Sequence, residues 1–564
     1  MNLNKEQYIA AHHVNGPMLV LAGPGSGKTH LLVERIRIMI EEKGIDPTNI
    51  LVITFSKKAA RQMKSRFERR IEGRSYPVTF GTFHAVFYDI LKKYDPNIKR
   101  LITEEEQKLF LVRAIRSLPL ASDLFVNEDN INEILGIISA FKNFGDSFYE
   151  NSEAGRGMDI NERSDFRMVH AAYTDLVGKS HMLDFDDMII RCRDILYKHE
   201  GLLRMWQKKY RYFLVDEFQD INEAQYDVLR LLAGDERNVF AVGDDDQSIY
   251  AFRGSRPELM KKFIHQYVGC RRVTLTMNYR CCENVIGAAD TVIRHNVDRI
   301  ERPMQRHLPS KEGGEVLIVN SESTDVQAEY VCDMIEALTQ EYGYDAGDIA
   351  VLYRSEHCAR LFVNTAKKRG IDLMLSETGE NVSMRDKIHE AYIRAHEGRA
   401  LRRDIYLIMN NPARGLSREA LLQTGGDYIG DLRAYYENDP EKLAAISDLE
   451  DMIEGYSKET GIGKKSGPAK KEFVQVMTAH ASKGLEFKCV FIIGLQEGLF
   501  PHHRNMTGNA EEERRLMYVA MTRAKERLCM CTVSTDHGKR PSRFAVEAAK
   551  ENKYIKDQLS LRRI

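Results

Sequence analysis

There is one tryptophan in 564 residues, and no apolar run is long enough to cross a membrane. The N-terminal stretch MNLNKEQYIAAHHVNG lacks an apolar signal core, so no secretory signal is expected. The nine cysteines are scattered and odd in number, which gives no disulfide framework. Cys281 adjoins Cys282, and Cys529 lies two from Cys531, yet neither pair belongs to a four-ligand metal pattern. They read as small buried hydrophobes of a protein in the reducing cytoplasm. Net charge is −1, so no overall basic field announces a polyanionic partner, although a charged groove can sit on a neutral protein. No repeat occurs in the solenoid range. What is present is 43% hydrophobic and 29% charged residues, ordinary for a soluble globular chain. The length suits about three or four domains.

Short apolar runs alternate with helical patterns, the signature of α/β layering with parallel sheets. Strands are expected at Met18–Leu21, Leu51–Thr54, Val78–Gly81, Tyr212–Val215, Val239–Val242 and Val273–Thr276. Between them, residues 95–180 hold no comparable run, and LFLVRAIRSL and INEILGIISAFKNF carry helical spacing instead. A second series follows at Glu315–Val319, Ile349–Tyr353, Phe473–Met477, Val490–Gly494 and Leu528–Thr532. It is interrupted over 382–471 by a mainly helical segment ending in the linker-like GIGKKSGPAKK. The expected organisation is one α/β domain from 1–94 and 181–272 with insertion 95–180, then another from 273–381 and 472–564 with insertion 382–471.

The first chemical signal is Ala22-Gly23-Pro24-Gly25-Ser26-Gly27-Lys28-Thr29, between the strand PMLVL and the helical run LLVERIRIMI. Glycines let backbone N–H groups turn inward around phosphate oxygens, and the helix N-terminus adds its positive end. Lys28 would reach the β- and γ-phosphates, and Thr29 would hold Mg²⁺ through its hydroxyl. Ala22 stands where the strict phosphate-loop pattern has glycine, a departure of one methyl group. The second signal is YRYFLVDEFQDIN, an apolar strand delivering Asp216 and Glu217 at its end. Phosphoryl transfer to water needs one carboxylate near the metal and another to orient the water. Alternation along a strand would turn the two to opposite faces, with Asp216 for Mg²⁺ and Glu217 as base.

Taken in order from residue 3 to about residue 545, the chain resembles the UvrD/Rep/PcrA type of superfamily 1 DNA helicase. Leu3-Asn4 with Gln7 resembles the Q motif, Thr54–Ala60 motif Ia, Gly81–His84 motif Ib, and Leu183–Asp187 the helix preceding motif II. Asp216–Asp220 resembles motif II, Gly243–Tyr250 motif III, Asn278–Arg280 motif IV, Thr478–Phe487 motif V and Glu513–Ala524 motif VI. The resemblance implies two RecA-like P-loop NTPase domains, parallel sheets flanked by helices, each with a mainly helical insertion. It implies that Gln7 reads adenine, Gln247 senses the γ-phosphate, and Tyr279 stacks near adenine. It makes Arg280 and Arg523 arginine fingers, and Glu486 a contact to the ribose or phosphate side of ATP.

Single-strand binding without sequence reading needs aromatic faces for bases and polar or basic groups for phosphates. The resemblance places Phe55, Phe83, His84, Tyr250, Phe252, Arg253, Thr478 and His480 on such a track. Phe252 stands where the family usually has tryptophan, and His30 where arginine commonly follows the P-loop threonine. The basic run Lys57 to Arg74 reads mainly as the solvated face of a helix, with Lys57 and Lys58 as its better phosphate candidates.

By the same resemblance the function is that of an ATP- and Mg²⁺-dependent translocase or helicase on single-stranded and tailed duplex DNA, of 3′→5′ polarity, in repair, replication or recombination. Two alternatives remain: a helicase subunit of a nuclease-containing or anti-phage complex, and a DNA-stimulated ATPase that displaces proteins without unwinding by itself. No C-terminal nuclease domain is expected after Pro541–Phe544, so cutting is expected to come from a partner. The insertion 382–471 is roughly half the family's usual length, with Asn411–Leu416 as its anchor. Altered regulation, with less autoinhibition, is the corresponding expectation.

Overall fold

The computed structural model describes residues 3–120, 123–126, 130–144, 148–151, 153–251, 254–303, 306–307, 313–375, 384–417, 420, 427–454, 473–502, 510–534 and 540–551. The chain divides into two compact units. The first comprises 1–94, 189–376 and 469–564; the second comprises 95–188 and 377–468.

In the first unit the apolar runs become strands β1 (Met18–Ala22), β2 (Ile50–Thr54), β3 (Thr79–Thr82), β4 (Tyr212–Val215), β5 (Val239–Gly243) and β6 (Arg271–Leu275). They form one sheet in the order β3-β2-β4-β5-β1-β6, every neighbouring pair parallel. Parallel pairing of β6 with β1 puts 271–275 in this sheet, so a domain boundary drawn at 272/273 would cut through a strand. Helix Lys28–Glu41 buries Leu31, Leu32, Ile36 and Met39 against the sheet, the spacing of an amphipathic helix. Helix Lys57–Arg70 buries only Ala60, Met63 and Phe67, which leaves most of the basic run solvated.

The short strands β7 (Met277–Asn278) and β8 (Arg306–His307) pair with each other. The second sheet then consists of β9 (Glu315–Ser321), β10 (Ile349–Tyr353), β11 (Leu373–Leu375), β12 (Val474–Thr478), β13 (Phe487–Ile492) and β14 (Ala524–Val533). Its order is β11-β12-β10-β13-β14-β9, again wholly parallel. The three-residue β11 was too short to stand out by period. Two RecA-like sheets flanked by helices therefore make up the first unit. Helices Glu283–Ile293 and Ala510–Met521 share one apolar core with the second sheet. Cys332, Cys489, Cys529 and Cys531 are buried in another of its cores, as small hydrophobes.

The second unit is helical throughout its described residues, apart from one isolated bridge between Leu101 and Leu183. Residues 95–188 pack around Phe110, Leu111, Phe125, Ile134, Phe148 and Phe166. Residues 384–454 have their own core of Tyr392, Ile405, Ile408, Leu432 and Leu449. There Tyr392 donates its hydroxyl to Asn411 O at 2.5 Å, and Arg414 Nε donates to Asp448 Oδ2 at 2.6 Å. Among the described residues no helix is long and apolar enough to cross a membrane.

Candidate active site

The phosphate loop runs from the end of β1 into helix Lys28–Glu41. Gly25 and Gly27 take φ of +68° and +81°, conformations that side chains rarely adopt. A Cβ on Gly25 would stand 2.7 Å from both Arg280 Cβ and Asn278 Oδ1, so only glycine permits this approach. The loop is pinned by Tyr279 N donating to Gly25 O at 2.8 Å and Asn278 Nδ2 donating to Pro24 O at 2.9 Å. Gly27 caps the helix with no side-chain hydrogen bond among the described residues, which leaves the first-turn N–H groups for an anion. Lys28 Nζ is buried without a hydrogen-bond partner among the described residues, 3.9 Å from Glu217 Oε1. A buried, under-satisfied ammonium beside an open helix end fits a phosphate chain.

Asp216 follows β4 directly and is buried, its N–H bonded to Ile53 O at 2.9 Å. Burial and the adjacent Glu217 carboxylate push its carboxyl up to about 7. A buried carboxylate of that kind gains from a nearby cation. Glu217 departs from the expected strand alternation. The strand ends at Val215, and Glu217 has φ of +52°, in the left-handed region. A turn rather than the pleat therefore separates the two acids. Burial raises the Glu217 carboxyl, but Lys28, Lys483 and a 2.5 Å bond from Gln219 Nε2 outweigh it and hold it at about 2. Glu217 is therefore ionised, and the left-handed backbone sets where its carboxylate stands relative to Lys28.

The second sheet's side contributes cations. Arg523 is buried and, among the described residues, donates to neutral oxygens: Val519 O at 2.8 Å, Leu485 O at 3.1 Å and Thr522 Oγ1 at 3.1 Å. Burial, then the nearby Arg280, lower its guanidinium to about 9. A guanidinium held by dipoles in a dry site is suited to neutralise charge on a transferring phosphoryl group. Arg280 instead pairs with Glu486, Nε to Oε2 at 2.8 Å, and donates to Thr522 O at 3.3 Å. Glu486 also meets Lys525 at 2.8 Å, and despite burial these cations draw its carboxyl down to about 2.

Gln247 is buried with its Nε2 on Asp244 Oδ2 at 2.6 Å. Gln7 is also buried. It closes a capping box with Asn4, accepting from Asn4 N at 3.1 Å, and donates from Nε2 to Ser26 O at 3.0 Å. Tyr279 OH accepts from Asn4 Nδ2 at 2.8 Å. Lys28, Asp216 and Glu217 thus meet at the end of β4, Arg280 (held by Glu486) and Arg523 both bond Thr522, and the Arg523 charge acts on Glu217, with Gln7 and Tyr279 bonded to the phosphate loop.

Among the residues expected to bind a strand, Phe55 is 40% exposed and stacks on Tyr250, ring centroids 4.8 Å apart and planes 13° apart. Lys483 Nζ lies 5.0 Å from the Tyr250 centroid. Lys57 opens its helix in solvent. Thr478 ends β12, where its Oγ1 accepts from Ala481 N, and His480 follows in the turn. His84 is partly buried, and burial with the nearby Lys57 lowers its imidazole pKa, which favours the neutral ring. Phe83 is buried, its ring centroid 5.7 Å from that of Phe87. Phe252 and Arg253 lie outside the described residues.

Several contributors carried no role in the sequence reading. Lys483 donates to Asp220 Oδ2 at 2.6 Å and Gln247 O at 2.8 Å, joining the catalytic strand ends to the Tyr250 ring. Glu6 accepts from Thr276 N at 2.8 Å and Oγ1 at 2.7 Å. Arg35 donates to Ala10 O at 3.2 Å, Ala11 O at 3.3 Å and His13 O, and so clasps the end of helix Lys5–His12. Arg299 and Arg302 meet Asp244–Asp246. One signal was legible: three adjacent aspartates in an apolar context demand cations.

A parallel sheet carrying a phosphate loop and acidic strand ends, with a second sheet supplying arginines, defines a two-domain P-loop nucleoside triphosphatase. Comparison with known proteins refines the class. Residues 3–268 match the UvrD/REP helicase N-terminal domain, and residues 273–423 and 431–535 match the UvrD-like helicase C-terminal domain. DNA helicase II of Rickettsia typhi is 30% identical over 93% of this chain and 91% of its own length. The ATP-dependent DNA helicase PcrA of Staphylococcus epidermidis is 28% identical over 97% and 86%. The ATP-dependent DNA helicase Rep of Buchnera aphidicola is 27% identical over 98% and 99%. The chain belongs to the UvrD/Rep helicase family.

Proposed function

We propose that this protein is an ATP-dependent DNA helicase that moves 3′→5′ along single-stranded DNA and opens tailed duplexes. Its setting is DNA repair, replication or recombination in the cytoplasm, with a nuclease or repair factor as protein partner. The observation that carries this reading is the buried Lys28 ammonium at an uncapped helix end, without a hydrogen-bond partner among the described residues, with Glu217 on one side and Arg523 donating to neutral dipoles. ATP would lie along the phosphate loop with its γ-phosphate toward Lys28 and Gln247. Mg²⁺, held by Thr29 and Asp216, would neutralise phosphate charge and orient the chain. Glu217 would accept a hydrogen bond from the attacking water and take its proton, while Lys28 and Arg523 neutralise charge on the equatorial oxygens. Arg280 would exchange Glu486 for phosphate when the site fills.

Lys483 bonds to Asp220 and to the carbonyl of Gln247 and lies over Tyr250, so a shift of Gln247 alters the support of that ring. This supports coupling between hydrolysis and grip on the strand, with stepping by alternate closure and opening. The test is ATPase and strand separation on 3′- and 5′-tailed duplexes at several protein concentrations. Unwinding of the 3′-tailed substrate alone is expected. Hydrolysis stimulated by DNA without strand separation would leave a protein-displacing motor instead, and no stimulation by DNA would refute the reading.

A further inference from the structure

Asp244, Asp245 and Asp246 are all buried just after β5, and three adjacent carboxylates cannot be buried cheaply without cations. The cations come from the segment that follows helix Glu283–Ile293, itself packed in the core of the second sheet. Arg302 places Nη1 2.5 Å from Asp244 Oδ1 and Nη2 2.7 Å from Asp246 Oδ2, and also meets Asp245. Arg299 holds Asp246 at two points, Nε to Oδ1 at 2.8 Å and Nη2 to Oδ2 at 2.7 Å. Ile300 N donates to Asp245 Oδ2 at 2.7 Å. This one short segment neutralises the whole acidic run.

Asp244 is the shared member. Its Oδ1 takes Arg302 while its Oδ2 takes Gln247 Nε2 at 2.6 Å. Its N–H donates to Gln219 Oε1 at 2.9 Å, and Gln219 Nε2 donates to Glu217 Oε2 at 2.5 Å. Asp244 therefore connects Arg302 with both, through its carboxylate to the proposed γ-phosphate sensor and through its backbone N–H and Gln219 to the proposed base.

We propose that Arg302, supported by Arg299, is a positioning residue for hydrolysis: it holds Asp244 so that Gln247 and, through Gln219, Glu217 keep their orientation. The proposal rests on the reading of this site as an ATPase. When Gln247 turns its amide to phosphate, Asp244 loses one donor and keeps Arg302 as its cation. The grip on segment 299–302 then changes with nucleotide state, linking the sensor to the second sheet's side. A purely structural cation would give stability but would not act through Gln247.

The test is a double-mutant cycle on the full chain with ATP, Mg²⁺ and a single-stranded oligonucleotide: wild type, Arg302→Gln, Gln247→Ala and the pair. Arg302→Gln is expected to lower kcat roughly tenfold to a hundredfold with KM for ATP little changed. In the Gln247→Ala background the same change is expected to cost clearly less than in wild type, the remainder being what is lost through Gln219 and Glu217. Arg302→Lys, which keeps charge but loses the fork, should restore part of the rate, and it replaces Arg302→Gln in the cycle if that variant does not fold. Multiplying losses in the double variant, or an unchanged kcat, would overturn the proposal while the ATPase reading stands. Absence of DNA-stimulated hydrolysis in the wild type would overturn both.

Discussion

Replacing Gly25 by alanine adds one methyl group at the point where the phosphate loop meets the segment carrying Arg280. The backbone there has φ of +68°, which costs an L-residue about 1–2 kcal/mol. The new Cβ would begin 2.7 Å from Arg280 Cβ, 2.7 Å from Asn278 Oδ1 and 3.2 Å from Arg280 N. Arg280 N and Cβ are backbone and first side-chain carbon, and the Asn278 amide is fixed by its hydrogen bonds. Ordinary contact between carbons is about 3.5–4.0 Å, so the loop and the Arg280 segment must part by roughly 1 Å. Asn278 Oδ1 accepts from Arg280 N at 2.8 Å and Cys281 N at 2.9 Å, so the displacement passes to the turn that carries the arginine. A 1 Å misplacement at a reacting centre costs on the order of a hundredfold in rate. Gly25→Ala should therefore lower DNA-stimulated kcat by about that factor. Its melting temperature should fall by no more than a few degrees, because the strain is local. Steady-state ATPase with single-stranded DNA, alongside thermal melting by circular dichroism, checks both. A kcat within twofold of wild type would refute the close-approach argument.

Lys28→Ala should abolish hydrolysis yet leave single-stranded DNA binding measurable by fluorescence anisotropy; surviving DNA-stimulated turnover would count against the phosphate site. Phe55→Ala removes the ring stacked on Tyr250, and one base stack is worth about 1–3 kcal/mol, so affinity for an oligonucleotide should fall roughly fivefold to 150-fold. An unchanged dissociation constant would remove Phe55 from the track. Arg35→Met frees the end of helix Lys5–His12, and KM for ATP should rise several-fold with kcat nearly constant; a fall in kcat alone would contradict that role. Phe252→Ala should raise the ATP consumed per nucleotide moved, read by a translocation assay on strands of increasing length, and an unaltered ratio would argue against stacking there.

The sequence by itself determined the engine's type. Apolar runs bounded by glycine and acidic residues specify buried parallel strands, and these appear as β1, β2, β4, β5 and β10 within a residue or two of their expected limits. The loop around Lys28 and the acids after β4 were legible because they are contiguous in the chain and demand a particular backbone. The helical character of both insertions was legible for the same local reason. What lay beyond reach depends on pairs far apart in sequence. Period could not reveal that β6 pairs with β1, that Phe83 is buried while Phe55 stacks on Tyr250, or that a left-handed turn separates Asp216 from Glu217. Nor could it show that Arg302, 58 positions from Asp244, neutralises the acidic run beside Gln247. Hydrophobic patterning sets which strands form and which face is buried, by rules a few residues long. The partner of a buried charge is decided only when packing excludes water and the nearest cation, wherever it lies in the chain, must supply the missing solvation.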